Sequence, residues 1–369
     1  MMEVPFVSFT TQNEAIEAEA QEVFKRFLAS QYYVNGPMTR QFEDDYARFN
    51  ETKHAIGISN GLDALHLCLK ALGIGEGDEV IVPSNTYIAT ALAVEMAGAR
   101  VKFAEPDPAT CNLSPDSLRK AIGAETKAVM PVHLYGQACE MEEIMAIAGA
   151  HDLFVIEDNA QGHAARFRGK ITGSFGHANA SSFYPTKNLG AYGEAGAITT
   201  DSDDLAESLR MWRNYGSEKR YHNQVKGFNN RIDELQAGLL SLKLPYLEAW
   251  TSLRREAAAR YLNNLRLVQG LVLPHCHPDA GHVYHLFVVR CEERDRLQAW
   301  LESKSVKTVI HYPIPPHLQQ AYASAGYAEG DFPVAEMLAK TSLSLPLFPG
   351  ITGAQIDYVS EQIISFFKG

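Results

Sequence analysis

Three observations predict an α/β fold, with a large and mostly parallel sheet followed by a smaller α+β unit. Short β-branched runs alternate with helix-length stretches from about residue 55 to 158, the pattern of a parallel sheet covered on both faces. Beyond about residue 270 the texture changes, and Pro313, Pro315 and Pro316 mark a turn-rich segment. The chain has 369 residues, 46% of them hydrophobic, which suits two units of roughly 100–200 residues. The expected division is 1–245 for the large unit, with its N-terminal helix, and 246–369 for the smaller one.

Residues 14–29 carry Ile16, Val23, Phe27 and Leu28 near helical spacing, which predicts an amphipathic helix. Asn35-Gly36-Pro37 is a turn, and a second helix is expected over 38–49. The apolar run 55–58 leads to Asn60-Gly61, a helix start with the helix running to about 72. Strands are then expected at 80–82, 101–103, 128–132 and 154–156, with helices at 86–98, from Ser114-Pro115-Asp116, and at 140–150. Ser114 suits an N-cap and Pro115 the first helical turn. Strands at 180–184 and 195–200 flank a loop, and a helix follows at 205–214. A long helical stretch at 232–267 is interrupted at Pro245. In the last part, 284–289 and 307–312 read as strands with a helix between them at 294–302.

Composition excludes several classes. The net charge of −11 argues against general nucleic-acid binding. No run reaches the ~20 apolar residues of a membrane span, and the N-terminus lacks a signal-peptide layout. The five cysteines are widely spaced without a CxxC pair, so neither a disulfide framework nor a metal site is expected, and a reducing cytoplasm is the simplest setting.

Attention falls on Ser181 to Gly193, where a β-type run breaks at Pro185 and delivers Lys187 into a loop of small residues. Most loop lysines are simply solvated. A buried one loses the hydration that favours the ammonium and becomes a nucleophilic amine. Other residues sit where strand ends would converge. Asp158 ends an apolar strand and is open to a role as helix cap, metal ligand or partner of a buried cation. Gly61 and Leu62, at a helix start, can offer amides to a phosphate. Tyr87 follows a strand end and suits either the core or stacking on a flat ring. Ser182 lies just ahead of the lysine and can donate to a phosphate. Each signal is weak alone. Together they suit pyridoxal phosphate, which needs a lysine, an acid facing its ring nitrogen, a phosphate cup and a stacking partner. The acid keeps the ring protonated, so that it withdraws electrons, and the lysine moves a proton between carbons.

The segments Asn60-Gly61-Leu62-Asp63-Ala64-Leu65, Gly77-Asp78-Glu79-Val80-Ile81, His133-Leu134-Tyr135-Gly136 and Glu157-Asp158-Asn159-Ala160-Gln161 resemble, in order and spacing, the DegT/DnrJ/EryC1/StrS sugar aminotransferases. So do Ser182-Phe183-Tyr184-Pro185-Thr186-Lys187-Asn188-Leu189-Gly190 and Asn229 to Ala237. The resemblance covers nearly the whole chain. It implies an aspartate-aminotransferase-like fold (fold type I) and a homodimer with active sites at the subunit interface. It makes Lys187 the Schiff-base lysine, pairs Asp158 with the pyridine nitrogen, and sets Gln161 against the ring's 3-oxygen. The phosphate would be held by Gly61, Leu62 and Ser182, with Asn229 reaching it from the neighbouring subunit. Tyr87 takes the stacking position, and His317 matches a histidine near the sugar. A lysine at 187 disfavours the dehydratase branch, in which histidine replaces it.

The chain departs from the family's usual pattern at Asn159, Gly162 and Ala164, at Gly176-His177, and at Ala195. None of these removes an implied cofactor contact. Tyr184-Pro185, Leu189-Gly190 and Arg213 to Tyr221 resemble the group that aminates at C-3. The expected reaction moves an amino group from L-glutamate to a nucleotide-linked keto sugar, at C-3 of a dTDP-3-keto-6-deoxyhexose. Lys219 and Arg220 are candidate diphosphate contacts, with a solvated charge run as the plainer reading, and Tyr184 is a candidate substrate contact. The alternatives are C-4 amination, a dehydratase of the same fold, and a ligand sensor.

Overall fold

The computed structural model describes residues 2–219 and 221–369. Two helices, α1 (Thr10–Ser30) and α2 (Pro37–Phe49), precede β1 (His54–Ile58). There follow α3 (Gly61–Ala71), β2 (Glu79–Pro83), α4 (Ile88–Ala97), β3 (Arg100–Ala104), α5 (Pro115–Ala121), β4 (Thr126–Val129), α6 (Met141–Ala150) and β5 (Phe154–Asp158). Two short strands, β6 (Arg166–Phe167) and β7 (Lys170–Ile171), lead to β8 (Ala178–Ser182) and β9 (Gly196–Thr200). The helix α7 (Asp203–Trp212), the hairpin β10 (Ser217–Lys219) and β11 (His222–Asn223), and α8 (Glu234–Lys243) complete this part.

Seven strands form one sheet in the order β1-β9-β8-β5-β4-β2-β3. The strands from β3 through β8 pair in parallel, while β9 runs antiparallel to both β8 and β1. The reversal has a local cause. No helix lies between β8 and β9, and a parallel return needs a crossover. Alternation along each strand sends side chains to two cores. Val80 and Val82 join Ile56, Leu67, Val101 and Ile156 on one face, whereas Ile81 joins Phe42, Val129, Val155 and Phe183 on the other.

The last part contains α9 (Leu247–Leu265), β12 (Ala280–Gly281), β13 (Phe287–Arg290), α10 (Arg294–Ser303), α11 (Pro333–Thr341), β14 (Ser342–Leu345) and α12 (Gly353–Lys368). The strand β13 pairs antiparallel with β14. Their core holds Tyr261, Phe287, Leu297, Leu343, Ile356 and Ile363, and Val4 joins it through a bridge to Val306. The strand expected at 307–312 is reduced to one bridge, Val309 to Ser344. Beyond it the chain turns toward the large sheet, where Tyr135 Oη donates to His311 O at 2.6 Å. Among the described residues no helix is long and apolar enough to cross a membrane.

Candidate active site

The site starts from β5. Successive residues point to opposite faces, so Glu157 and Asp158 separate. Glu157 is buried and saturated. It accepts from the amides of Gly173, Phe175 and Gly176 at 2.9, 2.6 and 2.9 Å, and lies 2.7 Å from His133 Nε2. The Cys139 amide donates to His133 Nδ1 at 3.1 Å, which leaves the imidazole proton on Nε2, facing Glu157.

Asp158 is buried on the other face with fewer partners. Thr90 Oγ1, on α4, donates to its Oδ2 at 2.8 Å, and the Ala160 amide to its Oδ1 at 3.2 Å. Burial raises the Asp158 carboxyl above its ordinary range, against the opposing pull of Thr90, Ala160 and Lys187.

Asp158 pairs with Ala180 in register, so Ser182 and the loop it opens extend past the carboxylate. Phe183 plugs the core, and Lys187 N donates to Tyr184 O at 2.8 Å. Burial lowers the Lys187 ammonium to about 8, with Asp158 pulling the other way. The sequence thus holds a lysine that deprotonates far more readily than a solvated one, beside a carboxylate, as expected of a carbonyl-binding lysine.

The start of α3 lies against Ser182. A Cβ on Gly61 would sit 2.6 Å from Ser182 Cβ, so only glycine fits, and the first amides of α3 are brought to the Ser182 hydroxyl. Asn60 caps this helix by accepting from the Asp63 amide at 2.9 Å.

Gln161 is fixed at both ends. Its Oε1 accepts from the Tyr135 amide at 2.6 Å and its Nε2 donates to Tyr312 Oη at 3.2 Å. The Tyr312 ring stands 5.2 Å from that of Tyr87, which is exposed. Buried His163 packs on Phe183 with ring centroids 5.3 Å apart, and its Nδ1 accepts from the Leu189 amide at 3.2 Å. Burial, with Lys187 nearby, lowers His163 to about 3, so it is neutral.

Lys187, Asp158, Gln161, Ser182, Gly61, Leu62 and Tyr87 therefore belong to one cluster at the carboxyl ends of the parallel strands, where ligands bind in such sheets. Tyr184, 48% exposed, stands at its edge. Lys219 is exposed on β10, and Asn229 is exposed in a bridge with Asn214. Arg220 lies outside the described residues.

His317 takes a different place. It is buried, 3.2 Å from Glu336 through Nε2, and packed against Phe332 and Phe103 at 4.8 and 6.4 Å between ring centroids. Pro315-Pro316 opens a short turn that tucks the imidazole inward, so the substrate contact expected of it has no open face. Thr90, Tyr312 and His163 were not foreseen. Tyr312 had one signal, its position beside the proline turn; Thr90 had none.

The residues present fit pyridoxal phosphate. Glycine is enforced where a Cβ would fill the cradle beside Ser182, and the buried Asp158 has room in its bonding for a cationic ring N–H. A helix start for phosphate, a carboxylate for a pyridinium and a lysine with a lowered ammonium value define a fold type I aminotransferase site.

The comparisons agree. Residues 14–364 match the DegT/DnrJ/EryC1/StrS aminotransferase family, and the chain belongs to it. Over 360 residues it is 46% identical to the dTDP-3-amino-3,6-dideoxy-alpha-D-galactopyranose transaminase of Aneurinibacillus thermoaerophilus, covering 98% of each. It is 44% identical to a protein of Geobacillus stearothermophilus named as a pleiotropic regulatory protein, covering 100% of this chain and 99% of that one. The crystal structure of S. venezuelae DesV in complex with a ketimine intermediate superposes with a TM-score of 0.98 at 43% identity, covering 100% of both chains.

Proposed function

We propose that this chain is a pyridoxal-phosphate-dependent aminotransferase that moves an amino group from L-glutamate to a nucleotide-linked keto sugar, at C-3 of a dTDP-3-keto-6-deoxyhexose. The observation that carries this reading is the meeting of Lys187 with Asp158 beside the Gly61–Ser182 cradle. When bound, pyridoxal phosphate supplies the carbonyl that exchanges the amino group and the ring that withdraws electrons. The chain does the rest. Gly61 and Leu62 amides and the Ser182 hydroxyl hold the phosphate, with Asn229 added by a second copy. Asp158 keeps the ring nitrogen protonated, and Thr90 fixes the carboxylate's rotamer. Gln161 presents Nε2 to the 3-oxygen, and Tyr87 covers the ring. Lys187 Nζ would anchor the cofactor at its carbonyl and, once the incoming amino donor displaces it, would move a proton between the reacting carbons.

C-3 regiochemistry is supported by Tyr184-Pro185 and Leu189-Gly190, and by the name of the A. thermoaerophilus relative. Tyr184 is the sugar contact and exposed Lys219 the diphosphate contact of this reading. A cytoplasmic homodimer completes the proposal, since Phe24, Leu28, Tyr32 and Tyr33 stand exposed around the end of α1 and suit burial by a second copy. The two-unit division at 245 is supported by the core built around β13, β14 and α12, which Val4 also joins. A sensor reading draws on the name of the G. stearothermophilus relative, but a sensor has no need of a proton-moving lysine.

The test is a panel of dTDP- and UDP-linked 3-keto and 4-keto sugars with glutamate, read by mass and NMR. A 3-amino product is expected. Amination only at C-4 overturns the regiochemistry, loss of a hydroxyl without nitrogen gain supports a dehydratase, and no turnover with ligand binding supports the sensor.

A further inference from the structure

Asn188, next to Lys187, is committed to a single segment. Its Nδ2 donates to Val283 O at 3.3 Å, and its Oδ1 lies 3.3 Å from His285 Nδ1. Because Nδ2 must donate, Oδ1 accepts, and His285 carries its proton on Nδ1. The same segment is laced to the loop that holds Gln161. Val283 N donates to Gly136 O at 2.8 Å and Leu286 N to Tyr135 O at 3.2 Å. Gly136 has φ +95°, and a Cβ there would stand 2.8 Å from His285 N, so the approach admits only glycine.

Arg254, on α9, holds this segment as well. It is 4% exposed, and its Nη1 donates to Tyr284 O at 3.3 Å, His285 O at 3.4 Å and Leu347 O at 3.1 Å. Among the described residues no carboxylate offsets its burial, which lowers the guanidinium to about 10. A buried guanidinium without a counter-ion is costly, and an apolar side chain of similar size would pack there at lower cost. What the apolar side chain would not do is join the carbonyls of 284, 285 and 347.

We propose that Arg254 is a positioning residue for Lys187: by clamping 284–285 to Leu347 it sets, through His285 and Asn188, where the lysine stands relative to Asp158. The proposal rests on the reading of Lys187 as the cofactor lysine. The test uses the full-length protein with added pyridoxal phosphate, as wild type, Arg254→Lys, Asn188→Ala and the double variant. Cofactor affinity is followed by fluorescence quenching, and linkage to Lys187 by its visible absorbance and by borohydride fixation. Steady-state kinetics and thermal melting complete the set.

Arg254→Lys keeps the charge, but its side chain is one bond shorter and stops short of the place of Nη1, from which all three carbonyls are bonded. Expected are cofactor affinity within about threefold of wild type, linkage slowed about tenfold or more, and kcat lowered about tenfold with KM nearly unchanged. The double variant should be no worse than the poorer single, because both act along one path. Linkage in Arg254→Lys within about twofold of wild type, with only the melting point lowered, overturns the proposal, as does full additivity with Asn188→Ala. If wild type itself forms no linkage, it is the assignment of Lys187 that fails. Should Arg254→Lys not fold, Arg254→Gln, which keeps one amide donor toward these carbonyls, takes its place in the same comparison.

Discussion

The Lys187 amine should titrate far below an ordinary lysine before any cofactor is added. Burial brings it to about 8 from 10.5, while Asp158 opposes the shift. At pH 7 roughly a tenth of such lysines are free amine, against about three in ten thousand for an unperturbed one, a gain of about 300-fold in nucleophile. Replacing Asp158 with asparagine removes the one charge that raises the value, so the midpoint should move below that of wild type. Competitive acetylation of the cofactor-free protein, read at Lys187 by mass spectrometry across pH, measures both midpoints. A wild-type midpoint near or above 10, or an upward move in Asp158→Asn, refutes the reasoning. The linkage sign is fixed as well. A lysine whose folded value is depressed destabilises the fold most at low pH, so this group's contribution should improve as pH rises from about 8 toward 10.5.

Three further outcomes follow from the geometry. Thr90→Val removes the 2.8 Å bond to Asp158 and should weaken cofactor binding by about tenfold, the worth of one hydrogen bond to a charged group; an unchanged dissociation constant rejects that role for Thr90. Gly61→Ala puts a methyl 2.6 Å from Ser182 Cβ, so phosphate affinity should fall while the Lys187 acetylation midpoint stays put; a shift in both shows a wider disturbance. Glu234→Gln weakens the carboxylate that accepts from the Gly36 and Met38 amides and the Thr39 hydroxyl at 2.7, 2.5 and 2.6 Å, and urea unfolding should show a loss of about 1–3 kcal/mol. No loss would mean that the entry to α2 is held by packing alone.

The run from β1 to β5 was legible because each element announces itself locally, by β-branched residues such as Val80-Ile81-Val82 and by caps such as Ser114. Lys187 and Asp158 were legible for the same reason, since each sits at the end of a readable strand. What stayed hidden depends on chain segments meeting from far away. Thr90 is one threonine in a helix until the fold brings its hydroxyl to Asp158 at the end of β5. Tyr312 belongs to a stretch with strand-like composition that gives up pairing to reach Gln161. The direction of β9 is set by the absence of a helix after β8, which its own sequence does not express. The burial of His317 is hidden in the same way, because its aromatic cover, Phe103 and Phe332, comes from other positions in the chain.

The two carboxylates at the end of β5 make the site sensitive to reading frame. Glu157 is satisfied by three amides and an imidazole, and Asp158 by a hydroxyl and one amide. A slip of one position along this strand would exchange the two faces. The sated acid would then face the ring, and the hungry one would be shut in the wall without its donors. Sequence drift in this strand can therefore trade one apolar residue for another, but it cannot add or drop a residue. The same parity that builds the interior also decides which acid meets the cofactor.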